Sequence, residues 1–144
     1  NPCSSIVFKA ARLVAEDNSR PYVDRFAEFS LLSELAKDPG GALDIVMNKG
    51  YWGMSTEARR IEGMAEAARY YFRKELSALS LPELATLAGM ARAPHQLDFR
   101  KFPDRAKRVR DQVLTQMERA GFLSPAEAEA AKRASIPSPA QKRR

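Results

Sequence analysis

The sequence is short of the residues that staple or metallate a small protein. It has one cysteine, Cys3, and one histidine, His95. A single thiol excludes an internal disulfide, and one imidazole beside it excludes a zinc cluster or a His–His acid/base pair. No metal and no cofactor is therefore expected. There is no run of about 18 apolar residues, the length a bilayer-spanning helix needs. Asn1-Pro2-Cys3 opens without a charged and then apolar lead-in, so no signal peptide is read there. Cys3 is not the first residue, and it reads as a small semi-buried thiol instead of an acylated one.

Strand formers are also sparse. Val, Ile and Thr are few, and Ala, Leu, Glu, Arg and Lys dominate, which favours helix. No apolar–polar alternation persists. What is present is an ordinary soluble composition over 144 residues, 44% hydrophobic and 29% charged. That length buries a real core without covalent help. Disordered, collagen-like and disulfide-scaffold classes are excluded.

Charge is divided unevenly. Residues 1–58 carry 6 basic and 8 acidic side chains, whereas residues 59–144 carry 18 basic and 10 acidic. A basic second half fits either a solvated helical surface or an anionic partner: nucleic acid, headgroups or a phosphorylated substrate.

The pattern predicts helices over Ser5–Ala15, Pro21–Ala36, a short piece carrying Leu43, Ile45, Val46 and Met47, and Glu57–Lys74. Asp38-Pro39-Gly40-Gly41 reads as a stop. Ser80-Leu81-Pro82-Glu83 is a capping box, and its helix ends near Gly89–Ala91. Pro103–Ala120 repeats apolar residues at Ala106, Val109, Val113, Leu114 and Met117, with Gly121 as the residue after the cap. Ser124-Pro125-Ala126-Glu127 is a second capping box. The expected division is one helical domain, residues 1–134, and a basic disordered tail, 135–144.

Three stretches invite chemistry. Asp24 and Glu28 share a helix face, with Arg20 one turn earlier, so a carboxylate near a cation is available for acid/base or phosphate work. Tyr51-Trp52 between Gly50 and Gly53 can stack on a sugar ring or pack in the core. His95, after Ala93-Pro94, reads as a surface-loop histidine.

Taken in order, the motifs resemble the peptidoglycan glycosyltransferases of family 51. That family reads Asn-x-x-Tyr-Phe-Gly, then Gly-Ile-x-x-Ala-Ala-x-x-Tyr-Phe-x-Lys, then Leu-x-Leu-x-Glu-x-Ala-x-Leu-Ala-Gly, a Pro-containing loop, and a helix with Val-Leu-x-x-Met. Here stand Asn48-Lys49-Gly50-Tyr51-Trp52-Gly53, Gly63 through Lys74, Leu79 through Gly89, Ala93-Pro94, and Val113-Leu114-Thr115-Gln116-Met117 with Gly121. The resemblance implies an all-α, lysozyme-like helical lobe. It also implies a place in the periplasm or on the outer face of the bacterial cytoplasmic membrane.

The N-terminal part carries the departures. Ser4, Ser5, Ile6 and Arg12 line up with the family's Gly-Gly-Ser-Thr-Ile-x-Gln-Gln-x-x-Lys. Arg20-Pro21-Tyr22-Val23-Asp24 lines up with Arg-Lys-x-x-Glu, so Asp24 matches the second functional carboxylate. The family's main catalytic Glu stands in Glu-Asp-x-x-Phe-x-x-His-x-Gly. Glu16-Asp17 occurs, but Asn18-Ser19-Arg20 follows it, with no His or Gly in register.

The resemblance therefore implies Asp24 as the catalytic candidate and Ser4, Ser5, Arg12, Arg20 and Asn48 as substrate-binding candidates. It implies a domain that binds glycan strands, lipid-linked precursor or another envelope protein and that has weak or no polymerase activity alone. A membrane surface is a further possible partner. An active glycosyltransferase, with its catalytic Glu upstream or relocated, is the alternative. A basic helical nucleic-acid module is the second alternative. Arg100-Lys101 through Arg110 and Lys142-Arg143-Arg144 supply its charge, but Asp104 and Asp111 interrupt the first run and no nucleic-acid partner is expected.

Overall fold

The structure, a computed structural model, describes residues 37–136. Among them are five α-helices, one short 3-10 turn and one two-stranded sheet. The chain divides into two compact units, residues 1–50 and 51–144.

Helix α1, Pro39–Lys49, is the regular element described in the first unit. Asp38 caps it by accepting from the Gly41 N–H at 3.0 Å, and proline occupies the first turn, where a missing N–H costs nothing. The Asp-Pro-Gly-Gly stretch that reads as a stop in sequence also starts the next helix. A Cβ at Gly41 would collide with the Asp38 carboxylate, so the glycine makes room for its own cap.

In the second unit, β1 (Tyr51–Met54) pairs antiparallel with β2 (Arg60–Glu62), Tyr51 opposite Glu62 and Met54 opposite Arg60, with an irregular register between them. The expectation of one helix from Glu57 to Lys74 is corrected here. Ser55 Oγ accepts from the N–H groups of Glu57 and Arg59, and Ala58 takes a left-handed φ of 58°, which turns the chain into β2. Gly63, at φ 80°, then prevents helix continuity until Met64.

Helix α2, Met64–Phe72, buries Met64, Ala67, Ala68 and Tyr71, the small residues setting a close approach. After the 3-10 turn Leu76–Ala78 comes α3, Leu81–Met90, then α4, Pro103–Arg119, and α5, Pro125–Arg133. Both serine capping boxes form as their spacing predicts. Glu83 accepts from the Ser80 N–H at 2.8 Å, and Glu127 from the Ser124 N–H at 2.8 Å. Gly121, at φ 82°, ends α4. Phe122 N–H bonds to Met117 O and Gly121 N–H to Glu118 O, the Schellman arrangement.

These last three helices share a core of Ala85, Leu114 and Ala131, flanked by Leu81, Val113 and Leu123. Helices α3 and α4 approach closely at Gly89. A Cβ there would stand 2.8 Å from Val109 Cγ1. No helix among the described residues is long and apolar enough to cross a membrane.

Candidate functional site

Five of the six expected site residues, Ser4, Ser5, Arg12, Arg20 and Asp24, lie outside the described residues. Asn48 lies within them. It is exposed in the last turn of α1, and its Nδ2 donates to the Asp44 carbonyl at 2.9 Å. The side chain is thus aligned along its own helix.

The hairpin, α2 and the loop after α3 build a framework in the second unit. Trp52 is buried, at 2% exposure, and donates from Nε1 to Leu87 O at 3.0 Å near the end of α3. Its ring fills core volume and is not a sugar platform. Tyr71 is also buried and donates from its phenol to Trp52 O at 2.7 Å. Burial, reinforced by the negative charge of Asp98, pushes the Tyr71 phenol well above its ordinary range. It is therefore a permanent donor near neutrality. A Cβ on Gly53 would stand 2.5 Å from that hydroxyl, so the glycine admits the bond.

Asp98 and Arg100 brace the same place from the loop. Asp98 accepts from Arg100 Nε at 3.0 Å and from a terminal nitrogen at 2.8 Å. The guanidinium lies 4.9 Å from the Tyr70 ring centre and 4.6 Å from that of Tyr71. The Asp98 hydrogen bonds hold Arg100 protonated, against the opposing effect of burial. Phe99 stacks on Phe72 at 5.2 Å. Loop 93–102 is thus fastened to α2 by charge and by ring contact together.

On the outside, Tyr51 and His95 are joined, phenol oxygen to Nε2, at 2.7 Å, and the Arg60 guanidinium stands 5.0 Å from the Tyr51 ring centre. His95 is exposed, as its loop position implies, yet it has a partner 44 residues away.

A second pairing joins two of the motifs. Lys74 Nζ, at the end of the Tyr-Tyr-Phe-Arg-Lys run, contacts both Glu83 oxygens at 2.8 and 3.1 Å. Burial works to raise the Glu83 carboxyl, but hydrogen bonds from Lys74 and the Ser80 backbone, with the Lys74 charge, outweigh it and hold it below the ordinary value. Glu83 therefore closes the capping box and anchors α2 to α3 as one ionised group.

The charge on α4 contains a residue that sequence reasoning missed. Arg110 is fully buried and bonded to Asp111, Lys132 O and Ala134 O. Its signal was its place: it falls between Ala106 and Leu114, on the apolar face. Among the described residues no group of three or more His, Cys, Asp or Glu is placed to hold a metal ion.

Comparison with known proteins fits this framework. The sequence model of the family described as Transglycosylase matches residues 3–118. The chain belongs to that family, the peptidoglycan glycosyltransferases of family 51, and its helical lobe is of the lysozyme-like kind. Penicillin-binding protein 1A of Streptococcus pneumoniae is 40% identical over 80 residues, which cover 56% of this chain and 10% of that protein. Penicillin-binding protein 1F of Bacillus subtilis is 28% identical over 127 residues, 87% of this chain and 17% of that one. The crystal structure of penicillin-binding protein 1A from Haemophilus influenzae superposes with a TM-score of 0.61 at 25% identity, covering 93% of this chain and 16% of that chain. The chain spans less than a fifth of the length of these three relatives.

Proposed function

We propose that the chain is a divergent peptidoglycan glycosyltransferase domain at the outer face of the bacterial cytoplasmic membrane. It binds glycan strands or their lipid-linked disaccharide precursor and polymerises them weakly or not at all on its own. The observation that carries this reading is a contrast within one family match. The match runs through residues 3–118, and the scaffold motifs from Asn48 to Met117 stand in order, while the polar motifs are altered.

The chemistry makes the contrast matter. A sugar hydroxyl attacks an anomeric carbon, and a lipid pyrophosphate leaves. That step needs a base on the hydroxyl and cations or hydroxyls on the pyrophosphate. Ser4, Ser5, Arg12, Arg20 and Asn48 serve as the substrate contacts, with Asp24 as the carboxylate beside the leaving group. Asp in place of Glu retracts the carboxylate by one methylene. A misplacement of about 1 Å loses roughly 100-fold, and a missing general base about 10²–10⁴. Pro21 in place of Lys removes one cation from the pyrophosphate.

Incubating the chain with fluorescent lipid-linked disaccharide tests the reading. Retention of the precursor with little or no polymer is expected, and Asp24→Ala is expected to remove whatever polymer forms. Processive polymer at the rate of an intact family enzyme overturns the claim of weak activity. Failure to retain precursor or glycan overturns the binding claim.

A further inference from the structure

A groove of about 680 Å³ runs along α4 on the side away from the core, with Lys132 of α5 contributing to its wall. It contains none of the expected site residues. Arg108, Gln112, Thr115 and Arg119 line it at helical spacings of four, three and four residues. They fall within about 60° of one another around the helix, and the two arginines stand about 16 Å apart along its axis. Gln116 lies beside them.

Arg108 and Arg119 are exposed, and neither is paired with a carboxylate among the described residues. Asp111, between them, is held by the buried Arg110 at 2.8 Å. Lys132 carries an ion pair with Glu129 at 3.2 Å, on an exposed edge. The groove therefore presents a cation at each end, with amides and the Arg110-paired Asp111 carboxylate between.

We propose that this groove docks an acidic peptide segment in extended conformation. Its two carboxylates, four or six residues apart and so on one side of the strand, would meet Arg108 and Arg119. An extended chain advances about 3.3 Å per residue and alternates its side chains between two faces, so only an even separation turns both carboxylates to the groove; four residues span about 13 Å and six about 20 Å, which bracket the distance between the arginines. The Gln112 and Gln116 amides carry both a donor and an acceptor and match the backbone groups of such a strand.

Other anions fit less well. Single-stranded nucleic acid carries a charge about every 3.4 Å, whereas the middle of this groove offers amides and the Asp111 carboxylate. A neutral glycan would want a ring to stack on, and no aromatic side chain lines the groove.

The test uses the whole chain and a fluorescein-labelled peptide of about ten residues with two glutamates six apart on a Ser/Ala/Gly background. Anisotropy is read at low and at physiological salt. Saturable binding that weakens as salt rises is expected. Arg108→Glu is expected to weaken it about three- to tenfold, and Arg119→Glu similarly. Lys107→Glu makes the same charge change next door, outside the groove lining, and should have less than a twofold effect. Amide chemical-shift changes on peptide addition should concentrate at residues 108–119 and 132.

Four results would overturn the proposal. They are equal weakening by Lys107→Glu and Arg108→Glu, undiminished binding when serines replace the two glutamates, and shift changes centred elsewhere. The fourth is tighter, Arg108-dependent binding of a ten-nucleotide oligomer or of phosphatidylglycerol vesicles. Circular dichroism melts confirm that each variant folds.

Discussion

The Arg110 guanidinium donates to the Ala134 carbonyl at 2.6 Å, joining the inner face of α4 to the chain just beyond α5. It donates to Lys132 O as well, at 2.7 Å, so one fully buried cation satisfies two carbonyls at a helix C-terminus. A cation is favoured there by the helix dipole as well as by hydrogen bonding. Arg110→Ala leaves those carbonyls and the Asp111 carboxylate without their donor. A loss of about 3 kcal/mol in urea unfolding is expected, together with faster amide exchange across residues 128–134. Arg110→Lys keeps the charge but lacks the planar fork, and should recover only part of the loss.

Arg73 closes α2 in the left-handed region, at φ 58°, where a side chain is disfavoured. Its N–H bond to Arg69 O, at 3.1 Å, depends on backbone alone. Arg73→Gly should keep that bond and relieve the strain, raising stability by about 0.5–1 kcal/mol, read as a higher urea midpoint at unchanged slope. An unchanged or lower midpoint would show that the exposed arginine side chain contributes more than its backbone conformation costs.

These two residues also mark where the sequence is legible and where it is not. Ser80, Ser124 and Gly121 announce their caps because the signal is local: a residue type and an offset of three. The buried face of α4 is equally plain at Ala106, Val109, Val113, Leu114 and Met117, since one helical period carries it. The hairpin is not plain. Its second strand is three residues long, too short for alternation to register, and its turn places Ala58, not a usual turn marker, in the left-handed region. Arg110 hides in a run of charges because the carbonyls that receive it lie more than 20 residues onward. By sequence Trp52 fits a sugar platform and a core position equally; burial and its N–H bond to Leu87 O assign it to the core. Of the expected site, the structure describes Asn48 alone. The other five were legible only through family motifs, since a substrate site is assembled from groups whose spacing has no local rule.

The Glu83 carboxylate makes stability depend on acid. Its folded value lies below the ordinary 4.5, so the unfolded chain binds more protons as pH falls past that point. The stabilisation is fully present above about 4.5 and is lost as pH drops through the lowered folded value. Glu83→Gln keeps an acceptor for the Ser80 N–H but cannot ionise, and it loses the charge pairing with Lys74. Thermal melts from pH 7 to pH 3 should show the variant less stable at pH 7 and the gap narrowing below pH 4.5. A gap constant across that range would mean that Glu83 acts through its shape alone.

Tyr71 produces the opposite dependence at the alkaline end. The buried phenol stays protonated in the folded chain, while in the unfolded chain it ionises near 10. Above that pH the unfolded state gives up a proton that the folded state retains, so stability falls as pH rises. Tyr71→Phe removes the titrating group and with it this share of the alkaline loss. It also removes the bond to Trp52 O, which costs about 1–2 kcal/mol at neutral pH, because that buried carbonyl loses its phenol partner. Urea unfolding at pH 7 and pH 10.5 separates the two effects: the variant should be less stable at pH 7 and should lose less than the parent between the two. Equal losses in both proteins would place the alkaline sensitivity in other groups and leave Tyr71 as a hydrogen-bonding strut only.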